Sequence, residues 1–467
     1  MNRQLVAGID SSTQSVKVTV YDALTGELVR EARRPHPPGT SVDPEEWWLA
    51  LLSALDAVGG LDEIRAISIA GQQHGLITLD EDGRVIRPAL LWNDTRSASA
   101  AEDLTNELGA VEWAHAVGLV PVASFTISKL RWLADHEPEN ARRVVAVCLP
   151  HDWLTWRLSG STDVADLTTD RSDASGTGYF DPRSNEYRRD LLQRAFGRDL
   201  HLPRVIGPRD ALAGPRDVVL GAGGGDNAAA HFGLGDADAT VVSLGTSGVV
   251  MRRATTMPID PTGSVAGFAD LTGQFLPLVC TLNCARVLDS TAELLGVDLG
   301  ELSALALAAP PAANGLTLVP YFEGERTPNR PHATGTLAGL TLESWTKTNL
   351  ARASVEGVLR GVGAGLAALE ELGIAVGHCV IVGGAGASLA VQSLAPSVWG
   401  REVRVAPVTE YVARGAARQA AWALSDSPTP PSWALTPEVV LRADSVDHVA
   451  DERYQRASSQ GLERPAF

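Results

Sequence analysis

The pattern of apolar and polar positions predicts short strands alternating with helices in the first half of the chain. Some apolar runs are continuous, as in buried strands, while Val16, Val18 and Val20 alternate with polar residues, as in a half-exposed strand. The predicted strands cover residues 5–9, 16–20, 28–29 and 64–69. A turn at 24–27 joins two of them, so the chain opens with an antiparallel arrangement.

Residues 44–55 have the spacing of an amphipathic helix, with Asp43 as N-cap and Pro44 at the first helical position. Strands that alternate with helices indicate an α/β fold. The second half repeats this scheme. Its predicted elements are strands at 240–244, 249–251 and 380–382, a long helix at 350–372 and an amphipathic helix after residue 388.

The length of 467 residues predicts at least two domains. Asp236 and Asp238 stand just before the second set of strands, so we divide the chain into domains 1–235 and 236–467. A hinge is expected at 230–240. The Pro- and Ser-rich stretch 425–432 predicts a surface loop, and the polar tail 444–467 is expected to be only partly ordered.

Two tight turns rich in Gly, Ser and Thr stand between apolar runs, one in each half, at residues 10–17 and 243–248. Turns of this composition gather backbone N–H groups and small hydroxyls, which suits phosphate oxygens. Between them lies the glycine run 223–225, followed by Asp226. The pattern predicts a kinase with two lobes that grip one polyphosphate. Asp226 is placed as a general base or as a helix N-cap, and both can hold.

The net charge and the composition limit the classes of binding partner that we expect. The net charge of −17 argues against nucleic acid and anionic membranes as main partners, because both need basic surface. No apolar run is long enough to span a bilayer and no signal-peptide pattern opens the chain, so we expect a cytoplasmic protein. Lys17, one of three lysines at 17, 129 and 347, is either a point charge for a phosphoryl group or a solvated side chain.

Several common sites are excluded by spacing. The four cysteines lack the second ligand pair of a zinc site and are expected to be buried thiols. No Gly-x-x-x-x-Gly-Lys-Ser/Thr motif occurs, and the glycine runs at 221–226 and 383–388 miss the spacing of a Rossmann fingerprint. A nucleotide would therefore have to bind through the two turns.

The chain resembles the FGGY carbohydrate kinases of the actin/hexokinase-like superfamily, and within them the D-xylulose kinases. The similar segments follow one another to about residue 420. They are the turn 10–17 and the segments 43–48, 71–75, 91–96, 125–130, 149–152, 172–177, 223–227, 243–248, 324–328 and 382–388. The resemblance implies an α/β fold of two ribonuclease H-like lobes (the actin/hexokinase-like ATPase fold) with an interlobe cleft.

The resemblance also implies ATP-dependent phosphorylation of a ketopentose, D-xylulose first, with Mg²⁺ as metal and sugar and ATP as small-molecule partners. It assigns Asp226 as the catalytic base and Asp10 as the residue that organises Mg²⁺. The sugar ligands it implies are Gln73, His74, Asp226 and Asn227. The nucleotide ligands it implies are Thr13, Gln14, Lys17, Gly245, Thr246, Ser247, Gly383, Gly384 and Ser388. The loop 92–96 is expected to line the cleft, and a homodimer is compatible with the family.

Three positions depart from the family pattern. Ser12 replaces a glycine, Ala385 replaces a glycine near the nucleotide base, and Gln73 stands where D-xylulose kinases usually have Met. The last change bears on the sugar, so L-xylulose, ribulose, another ketose, a polyol or a sugar acid stay open as substrates. A non-catalytic actin-like nucleotide-binding module and a plain ATPase stay open as functions.

Overall fold

The computed structural model describes residues 3–433, 435, 439–443 and 445–460. The first half contains fifteen short strands and nine helices among the described residues. The strands are β1 (Leu5–Ser11), β2 (Ser15–Asp22), β3 (Leu28–Pro35), β4 (Ser41–Val42), β5 (Ile64–Gly71), β6 (Ile77–Leu79), β7 (Ala89–Leu90), β8 (Ala146–Cys148), β9 (Thr168–Asp170), β10 (Phe180–Asp181), β11 (Glu186–Tyr187), β12 (Arg204–Ile206), β13 (Ala211–Ala213), β14 (Val219–Gly221) and β15 (Gly224–Gly225). The helices are α1 (Pro44–Ala57), α2 (Ala98–Leu108), α3 (Ala110–Val117), α4 (Thr126–His136), α5 (Pro138–Arg143), α6 (Pro150–Ser159), α7 (Arg171–Ala174), α8 (Arg189–Phe196) and α9 (Asp226–Leu234).

The second half continues the alternation of strands and helices. Its strands are β16 (Thr240–Leu244), β17 (Gly248–Arg252), β18 (Val265–Ala269), β19 (Phe275–Thr281), β20 (Thr317–Val319), β21 (Thr336–Ala338), β22 (Cys379–Val382), β23 (Val403–Val405) and β24 (Val439–Leu441). Its helices are α10 (Ala285–Leu295), α11 (Leu299–Ala308), α12 (Lys347–Glu371), α13 (Leu389–Trp399), α14 (Tyr411–Ala423) and α15 (His448–Ser459). Short 3₁₀ helices lie at Val164–Asp166, Pro215–Asp217, Pro311–Gly315 and Gly384–Ala387.

Each half is built on one large sheet, and the two sheets share a strand order. The first runs β3-β2-β1-β5-β14, and the second runs β19-β17-β16-β22-β23, with further strands at the edges. In both, the first two pairings are antiparallel and the next two are parallel. The predicted repeat is therefore confirmed, and the β1–β2 and β16–β17 turns occupy equivalent places in it.

Helix α1 illustrates how the sequence sets these elements. The Asp43 carboxylate accepts a hydrogen bond from the Glu45 N–H, as an N-cap residue does. Trp47, Leu51 and Leu55 are buried on one face, against the first sheet. The predicted helix is confirmed and ends two residues later than expected, at Ala57.

Helix α14 lies in the second half of the sequence but packs against β1, β5 and α9 of the first. Glycines allow the close approach: a Cβ on Gly8 would lie 1.8 Å from the Ala413 carbonyl oxygen, and one on Gly415 would lie 1.9 Å from the Ala229 carbonyl oxygen. The backbones of α14 and the first sheet are therefore in direct contact.

The expectation of a partly ordered tail is wrong for residues 448–459, which form α15. Ala450, Tyr454 and Ala457 are its buried residues, and their spacing is that of one helical face. Asp451 pairs with Arg360 of α12 at 2.9 Å. Residues 444 and 461–467 of the predicted tail lie outside the described residues. The loop predicted at 425–432 is confirmed, since those residues form neither helix nor strand.

All four cysteines are free, and three of them are buried. The prediction of buried thiols is wrong for Cys280, which is only partly buried. Over the described part of the chain, no helix is both long enough and apolar enough to cross a bilayer.

Candidate active site

The first turn, residues 12–14, is held from both sides. The Ser12 N–H donates to the Ser15 carbonyl at 3.1 Å, and the His36 ring donates through Nδ1 to the Ser12 carbonyl at 2.8 Å. The Thr13 hydroxyl accepts from the Trp92 indole at 2.8 Å and lies 3.3 Å from Gln72 Oε1. Trp92, predicted to line the cleft, thus lies on the turn itself, while Gln14 at its tip is exposed.

Asp10 is the residue before the last of β1, beside this turn, with 3% of its surface exposed. Lys17, its partner across the β1–β2 pairing, lies 3.5 Å from one carboxylate oxygen and is bonded at 2.5 Å to Glu410, from the residues before α14. Burial raises the pKa of Asp10 to about 6, and Lys17 acts in the opposite direction. The other carboxylate oxygen of Asp10, Oδ1, is buried and has no hydrogen-bond partner in the described chain.

Asp226 is the first residue of α9, so the N-cap position predicted for it is taken by Gly225. Its Oδ1 accepts from the backbone N–H of Asn227 at 2.7 Å and from the Asn227 amide at 2.9 Å. Burial, and after it the negative charge of Asp10, raise the pKa of Asp226 to about 7. The carboxyl is therefore poised to exchange a proton near neutral pH.

The glycine run before Asp226 passes through a crowded region. Gly223 has a φ of +80°, and a Cβ there would lie 2.4 Å from the His151 ring. Gln419 of α14 accepts from the Gly223 N–H and donates to its carbonyl, both at 3.0 Å. The Gly225 N–H donates to the Ser172 hydroxyl at 3.0 Å. The run is thus fixed by α14 on one side and α7 on the other.

A buried ion cluster lies behind the run. His151 Nδ1 is 2.6 Å from Asp173, and Asp152 is 3.3 Å from the other ring nitrogen. Burial disfavours the imidazolium, but Asp152 and Asp173 outweigh it and raise the pKa of His151 to about 10. Asp170 holds the backbone N–H groups of Ser172 and Asp173. Because the histidine and carboxylates pair with one another, we interpret the cluster as an ion pair rather than a metal centre.

Gln73 and His74 follow β5, and Gln73 contacts Asn227, the neighbour of Asp226. The Gln73 amide donates to the Ser172 carbonyl and accepts from the Asn227 amide, both at 3.3 Å. His74 has a φ of +69°, and its ring lies between Phe125 and Phe268, with centroids 5.0 and 5.6 Å away.

The protonation of His74 can be assigned. Burial lowers its pKa to about 3, so the ring is neutral at physiological pH. Nδ1 lies 2.8 Å from the Gly176 carbonyl, which can only accept, so Nδ1 carries the hydrogen. Nε2 is therefore a hydrogen-bond acceptor.

The second turn, residues 245–247, closes with the Gly245 N–H on the Ser247 carbonyl at 3.2 Å. A cavity of about 580 Å³ opens beside it. Gly245, Thr246, Gly384 and Ser388 line this cavity, together with apolar residues of α10, α11 and α13. Ser247 and Gly383 are not among its lining residues; Gly383, at φ +92°, lies against the Leu244 backbone.

The structure thus brings together Asp10, Asp226, Gln73, His74 and Asn227, and it joins part of the second turn to the strand β22 loop. Sequence reasoning missed Glu410, Gln419 and the role of the His151 cluster. His151, Asp152 and Asp173 of the cluster lie within segments that carry the resemblance. Glu410 lies 393 residues from Lys17 in the sequence, so no local sequence pattern indicates their contact.

Comparison with known proteins agrees with this geometry. Residues 5–233 match the N-terminal domain, and residues 240–424 the C-terminal domain, of the FGGY family of carbohydrate kinases. A xylulose kinase of Streptomyces coelicolor is 43% identical, covering 90% of this chain and 88% of that protein. A xylulose kinase of Escherichia coli is 34% identical, covering 85% of each. The crystal structure of xylulose kinase from Bifidobacterium adolescentis has a TM-score of 0.93 and 47% identity, covering 98% of this chain and 100% of that one.

Proposed function

We propose, since this chain belongs to the FGGY family of carbohydrate kinases, that it transfers a phosphoryl group from ATP to D-xylulose, giving D-xylulose 5-phosphate. Family membership makes the chain an ATP-dependent sugar kinase with two actin/hexokinase-like α/β lobes. The choice of D-xylulose rests on full-length relatives that are xylulose kinases, at 43% and 34% identity.

The observation that carries the mechanism is the environment of Asp226. Its carboxylate accepts from the Asn227 amide, which also donates to Gln73, and its pKa is raised to about 7, first by burial and then by Asp10. A base needs a pKa near the working pH so that it is ionised yet basic. We assign Asp226 as the general base for the terminal hydroxyl of the sugar.

The sugar would bind beside Gln73, His74, Asp226 and Asn227. His74 Nε2 accepts a hydrogen bond from a sugar hydroxyl, because Nδ1 is used on the Gly176 carbonyl. Phe125 and Phe268 border the same ring and would limit the access of water to it.

ATP would bind with its adenosine in the 580 Å³ cavity and its phosphates between the two turns. Gly384 and Ser388 border the adenosine end. Thr246 and Ser247 offer backbone N–H groups and hydroxyls to the phosphates, while the Gly245 N–H closes the turn on the Ser247 carbonyl. Thr13, Gln14 and Lys17 face them from the first lobe.

The free Oδ1 of Asp10 fits a divalent cation, because a buried carboxylate oxygen without a partner is a ligand that Mg²⁺ prefers. Asp10 would hold this metal. Mg²⁺, when bound, neutralises charge on the β- and γ-phosphates.

In the transfer itself, the terminal sugar oxygen forms a bond to the γ-phosphorus. The bond from that phosphorus to the β,γ-bridging oxygen breaks, and its electron pair leaves with ADP. The hydroxyl proton passes to Asp226. Closure of the lobes would bring the three groups into line and keep water from acting as the acceptor.

The test is product analysis with an Asp226→Asn variant. Wild type with Mg-ATP and D-xylulose should give one phosphate monoester on carbon 5, seen by ³¹P and ¹³C NMR. Asp226→Asn should lose about 10²–10⁴-fold in kcat while still binding ATP. Asp82→Asn, an exposed acid in a surface turn, serves as the matched control and should keep wild-type turnover. Near wild-type turnover by Asp226→Asn would overturn the assignment.

A further inference from the structure

The segment 324–328 carries part of the family resemblance but has no role in the mechanism proposed above. It lies between β20 and β21, where Glu325 is 2% exposed. Its carboxylate accepts from the Leu282 N–H at 2.6 Å, from the Asn283 amide at 3.0 Å and from the Arg326 N–H at 2.8 Å. The Thr327 hydroxyl donates to the Cys280 carbonyl at 2.9 Å. These bonds fix the segment to the end of β19.

That end of β19 adjoins the second phosphate turn. Thr281 pairs with Gly248, the residue directly after the turn, and a Cβ on Gly248 would lie 2.5 Å from the Thr281 hydroxyl. The backbone of Arg326 is therefore fixed one strand away from the expected phosphate site.

The charge of the Arg326 guanidinium acts on two groups of this region, His74 and Cys280. The pKa of His74 is lowered mainly by burial, and the charges of Lys129 and Arg326 lower it further. Burial raises the pKa of the Cys280 thiol. The charge of Arg326 lowers this pKa, and the charge of Asp226 raises it. The guanidinium thus lies within electrostatic reach of His74 and Cys280, and Cys280 is also within electrostatic reach of Asp226.

The charge of Arg326 is uncommitted. Lys17 is bonded to Glu410, and Lys129 donates to the backbone carbonyls of Ser124 and Ala123. Within the described part of the chain, the Arg326 guanidinium has no hydrogen bond and no ion pair, and the side chain is half-buried. The neighbouring carboxylate of Glu325 accepts hydrogen bonds from the Leu282 N–H and the Asn283 amide and forms no ion pair with this guanidinium. A solvated surface arginine would be the simplest interpretation, but such a residue needs no buried carboxylate to fix its loop.

We propose that Arg326 is a catalytic residue that contacts the phosphoryl group while it passes from ATP to the sugar. The proposal rests on the proposed function. As the bond from the sugar oxygen to the γ-phosphorus forms and the bond to the β,γ-bridging oxygen breaks, negative charge spreads over the three equatorial oxygens. A guanidinium presents several donors in a plane, which matches two of those oxygens at once. Arg326 keeps its proton throughout and exchanges none.

The test compares Arg326→Ala, Arg326→Lys and the control Arg330→Ala. Arg330 lies in the same loop but donates to the Ser458 carbonyl, away from the site, so its loss should leave turnover within about threefold of wild type. Arg326→Ala should lose about 10²–10³-fold in kcat, with KM for ATP and for sugar changed less than about threefold. Added guanidinium at millimolar concentration should restore part of kcat in Arg326→Ala, and NaCl of equal ionic strength should not.

A second readout does not depend on turnover. Wild type with sugar should bind ADP with aluminium fluoride, a mimic of the transferring phosphoryl group, and Arg326→Lys should lose at least about tenfold of that affinity while binding ADP alone normally. Unchanged kcat and unchanged aluminium fluoride binding would overturn the role. A rise in KM for sugar alone would place Arg326 at the sugar and also overturn it. Wild type that phosphorylates no D-xylulose would instead sink the proposed substrate, and the variants are then measured with whichever sugar is accepted.

Discussion

At the scale of single residues, the protonation of Asp226 is set by burial and by a second carboxylate. Burial raises the pKa of Asp10 to about 6, against the charge of Lys17 and with that of Glu410. Burial and then the negative charge of Asp10 raise the pKa of Asp226 to about 7. The counter-charge of Asp10, Lys17, is shared with Glu410. The site is therefore tuned to take up a proton in the neutral range.

A pH profile tests this tuning. Because only ionised Asp226 accepts the hydroxyl proton, and its raised pKa is about 7, kcat/KM for the sugar should be level above that pH and fall about tenfold per unit below it. Rates measured from about pH 5.5 to about pH 8.5 check this. A profile that stays level down to about pH 5.5 would contradict the assignment of Asp226. The fall in rate below about pH 7 should be absent in Asp226→Asn.

Gln73 has a structural role in addition to its proposed place beside the sugar. Its amide is engaged by the Ser172 carbonyl and the Asn227 amide, and a Cβ on Gly225 would lie 2.6 Å from it. Glutamine at this position thus ties the loop after β5 to the start of α9. That use of the amide gives the departure from Met a local reason without fixing the sugar.

At the scale of elements, α14 joins the two halves of the chain at the site. Glu410 precedes this helix and bonds Lys17, while Gln419 within it holds Gly223. Both contacts require α14 to lie directly on the first sheet. Gly8 of the sheet and Gly415 of the helix allow this approach, because a side chain at either position would meet the opposite backbone.

Gly8→Ala tests that packing. The added Cβ would meet the Ala413 carbonyl at 1.8 Å, so we expect a loss of about 1–3 kcal/mol in the free energy of unfolding, or more. Thermal denaturation measures it, at about 2–4 °C in Tm per kcal/mol. Gly377→Ala is the matched control, because its nearest neighbour would be 3.6 Å away, and it should change stability by less than about 0.5 kcal/mol. Equal Tm values for the two variants would argue against this close packing.

Gly384→Leu tests the nucleotide cavity. A Cβ on Gly384 would meet no atom within 4 Å, so a larger side chain fits without strain and projects into the space proposed for adenosine. KM for ATP should rise by roughly tenfold or more, which corresponds to about 1.4 kcal/mol of binding free energy. KM for the sugar should stay within about twofold of wild type. An unchanged KM for ATP would mean that adenosine binds elsewhere.

At the scale of the whole molecule, the repeated strand order could be read from the sequence because both halves show the same apolar run, turn and apolar run. Asp10, Asp226 and the two turns could also be found in the sequence, because each lies in a short contiguous segment. The division at 235/236, the hinge and the homodimer stay predictions.

The contacts that complete the site could not be read in this way. Lys17 meets Glu410 across 393 residues, and Gly223 meets Gln419 across 196. Such pairs depend on how α14 returns to the first sheet, and neither residue belongs to a motif. The helical tail is a different case, since the spacing of Ala450, Tyr454 and Ala457 was available in the sequence but weak against its polar composition.

The most direct test of the central claim is the initial rate of ADP release with Mg-ATP over a panel of acceptors: none, D-xylulose, L-xylulose, D- and L-ribulose, glycerol and gluconate. We expect kcat/KM for D-xylulose to exceed that for every other acceptor by at least about tenfold, with only weak ADP release in the absence of sugar. A higher value for another acceptor would contradict D-xylulose as the substrate, and ADP release that no acceptor stimulates would contradict sugar phosphorylation at this site.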